Sequence, residues 1–131
     1  MLYTPVLASR YPVADIINAT AECGGASFSI DGRNLFGAPF YAVSVHPEHE
    51  RIVSAPLSPE VLDTYISERA DIWDDSHIIG TWEHEGRVYL DVVTLVADRD
   101  DALALARQHG QLAIFNLAAG EEISAVSEVA A

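Results

Sequence analysis

Two strand-like runs, residues 78–83 and 87–96, flank the dipeptide Glu85-Gly86, and a chain of that pattern has to double back on itself. With Glu85 and Gly86 as the two turn residues, His84 pairs with Arg87, Trp82 with Tyr89, Gly80 with Asp91 and Ile79 with Val92. Successive strand side chains point to opposite faces. Val88, Leu90, Val92, Thr94 and Val96 therefore belong in a core, while Trp82, His84, Arg87, Tyr89 and Asp91 share the other face. An aromatic cross-strand pair steadies a hairpin by about 0.2–1 kcal/mol, and aromatics beside an arginine also have the composition of an interface hot spot. Two readings follow. In the commoner arrangement helices cover this face and bury the aromatics. In the other, Trp82, His84, Arg87 and Tyr89 form a contact surface. Glu83 and His84 are adjacent and point apart, so WEHE makes a poor local metal site.

The rest of the chain supplies helices to pack on such a sheet. Residues 12 to about 22 read as a short helix, with Pro12 in its first turn, Gly24-Gly25 ending it, and Val13, Ile16, Ile17 and Ala21 along one face. Residues 26–30 and 40–45 alternate as strands do and are expected to pair antiparallel, with residues 51–55 as a third strand of the same meander. Ser58-Pro59-Glu60 is the clearest helix start: a capping hydroxyl, a proline at the first helical position and an acid at the positive end of the dipole. Val61, Leu62, Tyr65 and Ile66 form its buried stripe. Asp98 caps a further helix that stops at Gly110, residues 111–117 read as a central strand, and a weak last strand lies near Ile123. The expectation is one domain over residues 1–131, of α+β class: a mostly antiparallel sheet of about five to six strands with two or three helices packed on it.

Charge limits what the surface can meet. Asp and Glu total 20 against 7 basic residues, a formal net charge of −13. Such a field repels nucleic acid and anionic lipid and attracts basic proteins. Without a basic patch, direct binding of DNA or RNA is not expected. All 7 basic residues are arginine and alanine is abundant, a pattern of GC-rich bacterial genomes and their phages. No segment approaches the length of a membrane span, and the opening MLYTPVLASRYPVADI lacks the parts of a secretory signal. The single cysteine, Cys23, precludes an intramolecular disulfide, fits a cytoplasmic location and reads as a small buried hydrophobe.

No motif announces a chemistry. His46, His49 and Glu50 form the best local cluster for a divalent ion, which His77, His84 or an acid of WDDSH would have to complete in space. ECGGASFSIDGR lacks the strand, glycine-rich loop and helix order of a phosphate cradle, and there is no GxSxG elbow. No catalytic residue, metal or cofactor is assigned. Asp71, Asp74 and Asp75 form a small acidic loop around Trp73, a second candidate contact surface beside the hairpin face.

FYAVSV, GTWEHEGRVYLDV and GQLAIFNL, in this order and separated by two helices, resemble a group of small acidic proteins carried by actinobacterial phages, plasmids and genomic islands. The resemblance covers roughly the last two thirds of the chain and rests on fold-type residues, so it implies a genetic setting and carries over no catalytic residue. In that setting the chain resembles phage-encoded inhibitors of host defence, of the anti-CRISPR and anti-restriction kind, some of which imitate DNA. The implied activity is binding and inhibition of a basic, nucleic-acid-binding partner in the cytoplasm. Carboxylates would occupy its groove, and Trp73 or Trp82 would anchor the complex. Two other expectations stand beside it: an accessory protein that forms a homo-dimer through the Trp82 and Tyr89 face, and a metal-dependent hydrolase using His46 and His49.

Overall fold

The structure, a computed structural model, describes residues 11–126. The elements in chain order are α1 (Val13–Cys23), β1 (Gly25–Phe28), β2 (Tyr41–Val43), β3 (Arg51–Ser54), α2 (Pro59–Ser67), β4 (His77–His84), β5 (Arg87–Val96), α3 (Arg99–Gln108), β6 (Ala113–Asn116) and β7 (Glu121–Ser124). A single 3-10 turn, Pro47–His49, precedes β3. The strands form one curled antiparallel sheet in the order β1-β4-β5-β2-β6-β7, with β3 paired to β5, and the class is α+β as the sequence predicts.

The hairpin organises this sheet. β4 and β5 pair in the register deduced from sequence, His84 opposite Arg87 and Trp82 opposite Tyr89. The turn has Glu85 at φ 49° and Gly86 at φ 78°. Two successive positive φ values match the right-handed twist of the strands, and Gly86 meets the second without a Cβ penalty. β5 outlasts any neighbour on its other edge, so two strands share that edge: β3 pairs with its first half, Arg51 opposite Leu90, and β2 with its second, Tyr41 opposite Val96. The expected meander is thereby corrected. β1 pairs with β4 and not with β2, and β3 joins β5 and not β2. The cause is the segment between β1 and β2, which is no tight turn: it buries Leu35 against Ile78, Val93 and Leu117, and so carries the chain over the sheet instead of back along β1.

All three helices lie on the face to which Val88, Leu90, Val92 and Val96 point. Ser58 accepts the Val61 N–H at 3.2 Å, and the helix it caps buries Leu62, Tyr65 and Ile66 completely. Each of those aliphatic side chains contributes about 1.5–3 kcal/mol. Asp98 accepts the Asp101 N–H at 2.9 Å at the start of α3, whose Ala102 and Ala106 sit under Val43 and Ile114. On α1 the buried stripe is Val13, Ile16 and Thr20, while Ala21 is exposed. Thr20 is admitted because its hydroxyl is satisfied: it donates to Ile16 O at 2.7 Å and lies 2.5 Å from the Thr81 hydroxyl. Cys23, expected inside, is exposed at the last turn of α1. β5 and β6 run parallel, joined through α3, with β2 between them. Among the described residues no helix is long and apolar enough to cross a membrane.

Candidate binding site

The face of the sheet away from the helices is only partly covered. The segment after β1 packs over one end, where Leu35, Val93 and Leu117 are buried. The other end is open, and this corrects the reading in which helices bury the hairpin aromatics: Trp82 is 53% exposed. The reason is registration. The even-numbered residues of β5 take the helices, so the odd-numbered row with Trp82 and Tyr89 has no helix left to meet it.

Two cross-strand rows shape this open end. In one, Trp82 on β4, Tyr89 on β5 and Ile52 on β3 stand side by side. In the next, Ser27 on β1, Gly80 on β4 and Asp91 on β5 are partners, and Glu50 follows the Arg51–Leu90 pair on the same edge. Small side chains in the second row, continued by Ala42, Ser44 and Ala113, leave a cavity of about 420 Å³ between the aromatic row and a far wall that includes Phe115 and Glu122. Gly80 lines it where Val93 packs against the backbone so closely that a Cβ would stand 2.6 Å from Val93 Cγ2. The volume lies in the lower part of the range of small-ligand pockets.

Asp91 is the chemical centre of the hollow. Ser44 donates its hydroxyl proton to Oδ2, whereas the buried Oδ1 has no hydrogen-bond partner among the described residues. Burial, and then the negative charges of Glu50 and Glu48, push its carboxyl up to about 7, against a backbone N–H from Val92 that pulls the other way. Above the cavity Trp82 stacks on His84 with 4.9 Å between ring centroids and 12° between planes, and meets Tyr89 at 5.5 Å. Arg87 is exposed opposite His84.

The hairpin residues Trp82, His84, Arg87 and Tyr89 thus come together on one face. The loop candidates do not join them. Trp73 belongs to the helix side: its indole N–H donates to Ile66 O at 3.0 Å and its ring packs by Tyr65. Asp74 is occupied within its own loop, accepting from the Ser76 and His77 N–H groups and contacting His77 Nδ1, each at 2.8 Å, which holds its carboxyl below the usual range. Trp73, Asp74 and Asp75 line a second hollow of about 420 Å³ with Asp31 and Arg33, separate from the hairpin face, and Asp71 is exposed nearby in sequence. Of the other site residues, the sequence places Asp91 on this face without making it a contact residue, reads Glu50 only with His46 and His49, and does not select Ser44. A mid-strand acid opposite a glycine was a signal for the first; the others meet it only through long-range pairing.

His46 does approach His77, with ring centroids 5.6 Å apart, and His49 at 6.1 Å, while His84 lies at the far end of β4. Among the described residues no group of three or more His, Cys, Asp or Glu side chains is placed to hold a metal ion. No family model, curated protein or solved structure matches the chain. The roles of these residues therefore rest on their own geometry and chemistry.

Proposed function

We propose that this protein binds a basic protein partner on the open face of its sheet, and that the partner is a nucleic-acid-binding protein of host defence whose nucleic-acid groove the acidic domain blocks. The observation that supports this most is the pairing of an exposed aromatic row, Trp82 with Tyr89 and Ile52, with a carboxylate-lined hollow, in a chain of net charge −13. The charge steers a cationic partner inward, and a desolvated aromatic anchor slows its release. The inhibitory and phage-borne part of the proposal rests on the resemblance of the three sequence segments quoted above. Capture from a lysate of a GC-rich bacterium on the tagged protein, eluted by a salt step, tests the reading. A basic nuclease or nucleic-acid-binding complex is expected in the eluate, and W82A is expected to lose it. Reversal of Asp71, Asp74 and Asp75 is the comparison: if that triple variant loses the partner and W82A keeps it, the loop and not the sheet face is the contact.

A second reading, a homo-dimer through the same face, is favoured by the apolar character of its rim, where Ile52 is 47% and Phe115 36% exposed. Light scattering across a concentration series separates the two readings. A monomer at all concentrations supports hetero-partner binding, and a dimer that W82D dissociates supports self-association.

A further inference from the structure

We infer that the hollow is an arginine socket, in which a guanidinium group of the basic partner passes along Trp82 and Tyr89 and is received by the carboxylates of Asp91 and Glu50. The inference rests on the partner-binding reading above and names the group that reading leaves open. Four observations carry it. Asp91 lines the hollow with one oxygen bonded to Ser44 and the other buried without a hydrogen bond of its own, the adjacent Val92 N–H favouring its charge only in part, and a buried acceptor left unmade costs stability. A small rotation of the Asp91 carboxyl toward the hollow would present that oxygen to an incoming N–H donor and remove the cost. Glu50 stands beside it on the neighbouring edge, close enough for its charge to act on the Asp91 carboxyl. Two acids side by side repel each other and attract a cation that presents several donors in one plane. The walls are aromatic, and a planar, weakly hydrated guanidinium stacks on such faces better than a strongly hydrated ammonium does. Finally, the small side chains of Ala42, Ser44 and Ala113 line the hollow beside Asp91 and leave room for the head group.

Neutral ligands such as sugars would also stack on Trp82, but they gain nothing from the paired charges. Lysine would satisfy the charge but neither the planar wall nor the fork of acceptors. The socket therefore predicts an order of affinity, arginine above lysine above a neutral isostere.

The test is an amide chemical-shift titration of the full chain with three blocked tripeptides, Gly-X-Gly with X as arginine, lysine or citrulline. The arginine peptide is expected to shift Ser44, Gly80, Tyr89 and Asp91 saturably, with the lysine and citrulline peptides about tenfold weaker, the scale of one charge-assisted hydrogen bond. D91N is expected to lose the preference for arginine, and E50Q, which alters an exposed residue, keeps the test decisive if D91N fails to fold. Equal affinity for lysine, or shifts confined to Asp31, Asp74 and Asp75, would overturn the socket. The peptides involve no cellular partner. Peptide binding with no basic protein captured would therefore sink the proposed function alone. Partner capture undiminished in D91N and E50Q would sink the socket alone.

Discussion

At the scale of single residues, Asp91 carries a tension between folding and binding. An isolated aspartate titrates near 3.8, and burial beside Glu50 and Glu48 raises it to about 7 in the fold. The charge of Asp91 also acts through space on the Tyr65 hydroxyl, which donates to His49 O and is held above its ordinary range mainly by burial; Glu122 lines the same cavity from β7. Between those two pH values the folded state binds the proton that the unfolded state has released, so the contribution of Asp91 to stability declines as pH rises through this window and is flat above it. D91N removes the titration and keeps an acceptor for Ser44. Its thermal midpoint is therefore expected to exceed that of the parent by about 3 °C or more at pH 8, and to match it near pH 4. Melts of both proteins across this range check the claim, and a parent as stable as D91N at pH 8 would show the carboxylate to be well solvated. Cys23 offers a simpler check. Its exposed thiol is expected to react with a disulfide reagent in the native protein at nearly the rate seen in denaturant, and strong native protection would contradict the placement at the surface.

Among the elements, those specified by neighbours in sequence were legible and those specified by distant partners were not. The hairpin register follows from two turn residues and the alternation around them, and the starts of α2 and α3 follow from Ser58 and Asp98, whose side chains make the capping bonds. S58A and D98A are each expected to lower stability by about 1 kcal/mol in denaturant titrations, and a loss under a few tenths would mean the caps are replaced by water. At the turn, E85N should stabilise by about 0.5 kcal/mol, because asparagine tolerates φ 49° better than glutamate. The partner of β1 was not legible in the same way. Phe28 has to enter the core formed with Ile79, Leu62 and Ile66, and nothing local to residues 25–28 says so. The site divides along the same line. Trp82, His84, Arg87 and Tyr89 could be gathered from one hairpin. Ser44 and Glu50 reach Asp91 only after the long edge of β5 has accepted two strands end to end.

For the whole molecule, the charge that would recruit a partner also works against the fold. With 20 acids and 7 arginines the chain repels itself, and the described arginines relieve this only locally, as where Arg51 and Arg69 both approach Glu68 at 3.3 and 3.5 Å. The Arg51 pair is at the surface and contributes little, while the Arg69 guanidinium is mostly buried over the Tyr65 ring and meets Glu68 at the edge of solvent. Added salt shortens the reach of all these charges, to about 10 Å at 0.1 M and about 3 Å at 1 M. Folding and binding should then respond with opposite signs. Between 20 mM and 500 mM sodium chloride the thermal midpoint is expected to rise as self-repulsion is screened, while affinity for the basic partner falls, chiefly through a slower association rate. The dissociation rate should move much less, since in the proposed complex it would be governed by the buried contacts of Trp82 and Asp91 rather than by the long-range field. Melting curves and surface-binding kinetics in the same salt series read both quantities. If association proves insensitive to salt while dissociation accelerates, the acidic excess serves solubility, and recognition resides in the sheet face alone.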